Sequence, residues 1–417
     1  MSPIKTLASL LLPVLLTTAS TASDRDLVDR VVLTSGKQLS GRVLLETPEK
    51  LVLDTGAKER EIPMAEVTSV DSVERSLEEF LARFDAADQL NVDALLELAR
   101  FAEEHELPGE ARNTYLRVLS IDPNNEDAWN KLGGHYSKRL GWRLRVRGRY
   151  RTIDQLRERV SDWRRALELT TAHFYLRTDI TPERALDISI NIERAYLEFY
   201  RLFGEELELF VFDEAPSIFI YASEKEFPKP LFDGKNAWYT ALDNILYVNG
   251  DLTGGADARE TMRHFIDLMM STSFRRTQGR PGETSPFVSR GVGLLFAAAL
   301  DFDQAWADWE FGRPNEELFR RHAAAKKPFG IARIVNASEG DYVGADNAAL
   351  TVAQAYTLVY FLIFAEDGKY RPAAARFLQS SFLGQPSASH LEKILGVDLD
   401  NLGLRYEAYV DAVVSKF

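Results

Sequence analysis

The chain has 417 residues, 45% of them hydrophobic, enough to fold two or three domains around sizeable cores rather than stay disordered. Its net charge of −13 argues against general nucleic-acid binding, which needs a basic surface. It has no cysteine, which excludes disulfides, thiol catalysis, cysteine-based zinc sites and lipidation on a cysteine.

Lys5 is the only charge before Asp24, Leu7 to Leu16 (LASLLLPVLL) is apolar, and the small residues TTASTAS follow. The pattern predicts a secretory signal over residues 1–23, cleaved after Ala22 or Ser23. An uncleaved interfacial anchor is the alternative. The apolar run is too short to span a bilayer. The mature chain is therefore expected to be exported, periplasmic or extracellular, and not transmembrane.

Residues 29–72 alternate with the period of strands, in RVVLTSG, KQLSGRVLLET, EKLVLDTG and EREIPMAEVTSV. Turn residues separate these four runs, and a small SH3-like β-barrel is expected. It would bind a peptide or cap its neighbour.

Residues 74–140 switch to helical periodicity. Trp129, Leu132, Gly133 and Tyr136 follow the W-x2-L-G-x2-Y pattern of a tetratricopeptide repeat, and Leu95, Leu98, Ala99 and Ala102 stand one repeat earlier. Fewer than three such units lean on neighbours for stability. Next, KRLGWRLRVRGRYR, residues 138–151, carries seven Lys or Arg. Residues 141–167 are read as a basic helical connector, either solvated and salt-bridged or facing an anionic partner.

From about residue 166 the pattern is mixed α/β. ALELTTAHFYLRTDI reads as strand, Pro182 opens a helix that ends at Gly204, PSIFIYAS is a buried strand, and NAWYTALDNILYVNGD holds two short strands. The C-terminal third is helical. The expected class is α+β and multi-domain, with a mixed sheet followed by helices.

The stretch RETMRHFIDLMMS looks like the helix on which a zinc peptidase carries H-E-x-x-H. That motif sets two His at i and i+4 on a zinc ion, with the intervening Glu as general base on the bound water. Here His264 stands at the first ligand, Phe265 at the base and Leu268 at the second ligand. Neither Phe nor Leu has a lone pair to offer. Glu260, His264 and Asp267 share one helical face and form the alternative metal set, or pair with Arg259, Arg263 or Arg290. The other histidines, at 105, 135, 173, 322 and 390, show no ligand spacing. No Walker loop, G-x-G-x-x-G or G-x-S-x-G is present.

The order of these elements resembles the peptidase MA-like family, gluzincin-type secreted bacterial proteins, and its uncharacterised relatives. The resemblance covers roughly residues 168–415. The family's second helix reads like P-x-W-L-S-E-G-L-A-x-Y-F, with its Glu as third zinc ligand. Pro286, Ser289, Gly291 and Phe296 resemble that frame, the proline offset by one, and the ligand position is Arg290. The resemblance implies a pseudo-peptidase that has lost its zinc and binds a peptide or protein partner in the cleft. Glu260, His264, Asp267 and Arg290 would line that cleft, Phe265 and Leu268 would make it more apolar, and Arg290 would pair Asp267 or a ligand carboxylate. Two rival readings stand beside it: an active zinc metallopeptidase with a non-standard ligand set, and an envelope interaction protein acting through its barrel and repeat.

Overall fold

The computed structural model describes residues 29–417 apart from 147–148, 161, 210, 213, 224–225, 228–236, 241–242, 250–255, 275–284, 297–311, 345 and 385–386; the side chains of 159, 256–262 and 274 are also outside the description. The expected signal, residues 1–23, lies outside the described residues.

Alternating burial builds the first sheet. Strands β1 (Asp29–Leu33), β2 (Gln38–Glu46), β3 (Lys50–Asp54), β4 (Glu59–Pro63) and β5 (Val67–Asp71) form an all-antiparallel sheet in the order β4-β3-β2-β1-β5. Five strands replace the expected four, because a 3-10 turn over Met64–Glu66 splits the last predicted run in two. A register shift between Val43 and Leu45 lets β2 serve both halves of the sheet.

Four helices follow: α1 (Val73–Ala86), α2 (Val92–Glu104), α3 (Pro108–Ile121) and α4 (Glu126–Lys131). Asn91 and Asn125 cap α2 and α4 through their side-chain oxygens. The tetratricopeptide pattern breaks after Trp129 and Leu132. Gly133 adopts φ +73° and its N–H donates to Asn130, while the Gly134 N–H donates to Trp129 O, a closure that ends the helix. Tyr136 therefore sits on a strand and not on the repeat helix.

The basic connector is also not a helix where it was expected to start. Strands β6 (His135–Ser137), β7 (Gly141–Val146) and β8 (Arg149–Arg151) make a three-stranded antiparallel sheet, with only α5 (Ile153–Val160) and a 3-10 turn after it. The reason is period: Trp142, Leu144 and Val146 alternate with Arg143 and Arg145, so one face can be buried and the other wet.

The remainder is a mixed sheet with helices packed on it. Strands β9 (Leu167–Thr170) and β10 (Tyr175–Thr178) form a hairpin, α6 (Pro182–Leu207) crosses over, and β11 (Ser217–Tyr221) pairs parallel to β10. β12 (Ala237–Thr240) and β13 (Ile245–Asn249) complete the order β12-β13-β11-β10-β9, with β12 at the edge. Helix α6 runs past Gly204, and Glu208, at φ +46°, is the left-handed residue that closes it. Its buried residues recur on nearly every face, so it is a core helix between α1–α4 and the sheet.

Helices α7 (Ala256–Phe274), α8 (Pro286–Phe296), α9 (Glu316–Ala323), α10 (Ile331–Val335), α11 (Glu339–Tyr342), α12 (Ala348–Phe364), α13 (Arg371–Phe382), α14 (Ala388–Leu395) and α15 (Leu399–Val414) complete the chain. The class is thus α+β with three sheets among the described residues. Gly291 sets the spacing of α8 on α12: a Cβ there would lie 2.6 Å from Val359 Cγ2 and 3.0 Å from the Ala355 carbonyl. Of the described helices, Ala348–Gly368 is long and apolar enough to cross a membrane, yet 72% of its most apolar 18-residue window is buried in the protein.

Candidate functional site

The site begins with α7, whose face from Phe265 to Ser273 is buried apart from Asp267. Position 264 differs from its neighbours in chemistry. His264 is 4% exposed, its ring lies 5.8 Å from that of Trp238 on the edge strand β12, and its Nδ1 is 3.6 Å from Asp267 Oδ2. That separation allows an electrostatic contact and is too long for a hydrogen bond. Among the described residues, His264 Nε2 and Asp267 Oδ1 are buried without a hydrogen-bond partner.

Positions 265 and 268 belong to the core instead of a cleft. Phe265 is 1% exposed and its ring centroid lies 5.7 Å from that of Phe174; Leu268 is completely buried. Both sit in the same hydrophobic cluster as the strands above them, so the expected apolar lining is corrected to core packing. An apolar side chain at either position gains by leaving water, and α7 turns these residues inward.

Arg290 does not pair with Asp267. Its guanidinium grips the carboxylate of Glu339, with Nε 3.3 Å from Oε2 and the second nitrogen on Oε1, and it lies 5.4 Å above the Tyr342 ring. Arg263 from α7 donates to the same Oε1 at 3.0 Å. Burial alone would raise the Glu339 pKa; hydrogen bonding from Arg290 and the charge of both arginines reverse this and hold it below the usual carboxylate range. α11 thus delivers one carboxylate that the two cations of α7 and α8 share. A fixed cation at position 290, sharing one carboxylate with Arg263, does not fit a divalent ion, nor do Phe265 and Leu268. Among the described residues, no group of three or more His, Asp or Glu is placed to hold a metal ion, and the side chain of Glu260 lies outside the description.

A second polar assembly went unread in the sequence. His173, in the β9–β10 turn, donates its backbone N–H to Glu193 Oε1 at 2.7 Å, and its ring Nδ1 lies 2.7 Å from Glu193 Oε2. Its Nε2 lies 3.6 Å from Glu74 of α1, and the ring stacks on Tyr196 at 3.6 Å. Glu110 of α3, 3% exposed, accepts the Ala172 N–H at 2.7 Å. Asp29 of the first strand accepts the backbone N–H groups of Val43 and Val73, at 2.6 and 3.2 Å. Burial disfavours a charged His173, but the Glu193 carboxylate and then Glu74 outweigh it and push the ring up to about 9. Burial, with Glu74 adding, raises Asp29 to about 7; burial, with Glu193 adding, raises Glu110 to about 7. These groups join the N-terminal sheet, helices α1 and α3, and the C-terminal part. A signal did exist: Glu193 and Arg194 interrupt the apolar rows of α6, and both are buried.

A cavity of about 900 Å3 opens beside this assembly, between β2, α1 and α6, with Arg75, Glu78, Asp85 and Arg194 among its lining residues. His322 is a further buried histidine, held by Thr357 at 3.0 Å in a network that includes Tyr406. No family model matches the chain, and no curated protein matches it.

Proposed function

We propose that the protein is an exported, catalytically inactive relative of the gluzincin-type peptidase MA-like proteins, and that it binds an extended peptide or protein segment beside α7. The observation that carries this reading is the replacement of the catalytic positions by structure. Phe265 and Leu268 are core residues of α7, and Arg290 is bound to Glu339. The mixed sheet followed by α7 and α8 is consistent with the resemblance. Edge strand β12 runs beside α7 with Trp238 against His264, and an edge strand can add an extended peptide through its backbone groups. The β4-β3-β2-β1-β5 order supports an SH3-like barrel for the first sheet. A repeat-like role is left to α2 and α3, since α4 ends early.

The test is metal content and binding together. Chain equilibrated with zinc and desalted is expected to retain almost none while unfolding cooperatively, and to bind extended peptides saturably, with binding lost in Trp238→Ala. Stoichiometric zinc that disappears in His264→Ala, with chelator-sensitive peptide hydrolysis, would replace this reading with that of an active enzyme.

A further inference from the structure

The cavity between β2, α1 and α6 has no part in the peptidase-like reading, and its volume of about 900 Å3 is that of a small-molecule site. Leu44 is the residue that the register of β2 on β3 skips. Its carbonyl accepts the Val211 N–H at 2.9 Å, which holds the N-terminal sheet against the segment after α6. Leu44, Leu81, Leu209 and Val211 on the cavity wall are buried apolar residues, so part of the wall favours an apolar body.

The polar part of the wall carries more carboxylates than cations. Arg75 is bound by Glu46, Arg194 by Asp85 and Arg201 by Glu198, so each guanidinium of the lining already has a counter-ion. Glu78 and Glu205 also line the cavity, and neither forms an ion pair among the described residues. Glu74 has the His173 ring at 3.6 Å, which it shares with Glu193. Arg42, which is not on the wall, gives its guanidinium to the Phe212 carbonyl. A second, independent feature is a pair of unmatched polar atoms. Tyr196 is completely buried, and its hydroxyl has no hydrogen-bond partner among the described residues; Glu74 Oε2 is buried without one as well. Both residues line the cavity. The Tyr200 hydroxyl, one turn along α6, is taken by Ser273 at 2.9 Å. Unmatched buried oxygens cost free energy that a donor entering the cavity recovers.

We propose that this cavity binds a small organic cation with an apolar body, of the alkylammonium class. The ammonium N–H groups donate to Glu74 Oε2 and to the Tyr196 oxygen. The charge of Glu78 and Glu205 draws the cation in, and its hydrocarbon lies along the apolar wall. The sign of the wall decides between ligands: a carboxylate meets surplus negative charge, and a neutral molecule leaves Glu74 without a counter-charge. A bare divalent ion gains nothing from the apolar wall, and no three acidic groups are gathered to hold one among the described residues.

The test is isothermal titration calorimetry of the chain from Asp24 onward with octylammonium, octanol and octanoate. This start removes the apolar leader and leaves every described residue in place. Octylammonium is expected to bind saturably at one equivalent, octanol far more weakly and octanoate not at all. Glu78→Gln and Glu205→Gln, both at exposed positions, should each weaken octylammonium about fivefold with melting unchanged. Tyr196→Phe should weaken it about fivefold without loss of stability, since the hydroxyl removed has no partner in the folded chain. Ala82→Trp, at an exposed position of the lining, should block the cavity and abolish binding. Absence of saturable octylammonium binding, equal binding of octanol or octanoate, or binding indifferent to these four substitutions would each overturn the proposal. Displacement by calcium at equal concentration would overturn it as the mark of a metal site, and a preference for trilysine as that of a peptide site.

Discussion

His173 and Glu193 are joined twice, by the backbone N–H and by the ring of the same histidine, one to each carboxylate oxygen at 2.7 Å. Both side chains are almost wholly buried, at 4% and 2% exposure. A pair held this way is costly to break singly, because removing one charge strands the other.

Glu193→Gln is accordingly expected to destabilise the chain by about 3–5 kcal/mol, measured by urea unfolding. Gln retains one acceptor for the His173 N–H but cannot balance an imidazolium, so the His173 pKa, followed by NMR, should fall. An unchanged His173 titration would contradict the ion-pair assignment.

Stability is expected to fall steadily as pH rises from about 4 to 9, as measured by thermal melting. His173 is raised from 6.5 to about 9, so the folded chain holds a proton that the unfolded chain releases in that window. Its contribution is complete below 6.5 and is lost as pH passes through about 9. Asp29 and Glu110, raised from 3.8 and 4.5 to about 7, act in the same direction at lower pH: the folded chain gains relative stability when they are protonated. Glu339 opposes them, since its lowered pKa gives stability that is lost under acid conditions. A melting temperature that rises through this range would refute the network.

Installing an H-E-x-x-H motif on α7 should damage the fold. Phe265→Glu places a carboxylate where exposure is 1%, and Leu268→His puts an imidazole at a completely buried position. Each is expected to cost about 3–5 kcal/mol, and the double variant should be largely unfolded or insoluble, with no gain of zinc. A stable double variant that binds zinc would show that the helix still holds a usable site.

Arg290→Ala is expected to be mild, at about 1 kcal/mol or less. Glu339 is half exposed and keeps Arg263, so solvent and the second arginine compensate. The readout is the Glu339 pKa, which should rise towards the ordinary carboxylate value.

Removing residues 24–150 should leave an aggregating remainder instead of an independent domain. Ala172 and Ile190 belong to the hydrophobic cluster of helices α1–α4, and Glu74 and Glu110 would be taken from the buried network. A soluble, cooperatively melting fragment would show that these contacts are dispensable.

Much of the architecture was legible because burial follows period. The strands at 217–221 and 245–249, the helix opened by Pro182 and the helical C-terminal third all appear where alternation or helical spacing placed them. The basic run misled because its charges concealed an alternation whose apolar partners are only Trp142, Leu144 and Val146. The repeat signature misled because Gly133-Gly134 allows a left-handed closure that the pattern, read as letters, does not exclude. At the candidate site, position 264 could be read from spacing, but the destination of Arg290 could not: Glu339 is 49 residues away and arrives on a four-residue helix. Likewise, Glu74, Glu110, His173 and Glu193 converge only through tertiary packing.

The apolar stretch Ala348–Gly368 has a consequence for the nascent chain. Before Gly291, Val292 and their neighbours cover it, this segment satisfies the length and composition by which a bilayer accepts a helix. Its fate is then a kinetic race between packing and misinsertion. Gln354 biases the outcome: its amide exchanges hydrogen bonds with the Phe329 backbone in the finished protein and would lose both in hydrocarbon, whereas the Thr357 hydroxyl also has the Ala353 carbonyl of its own helix. Polar groups inside the most lipid-like helix thus act as its address label, directing it to the protein interior.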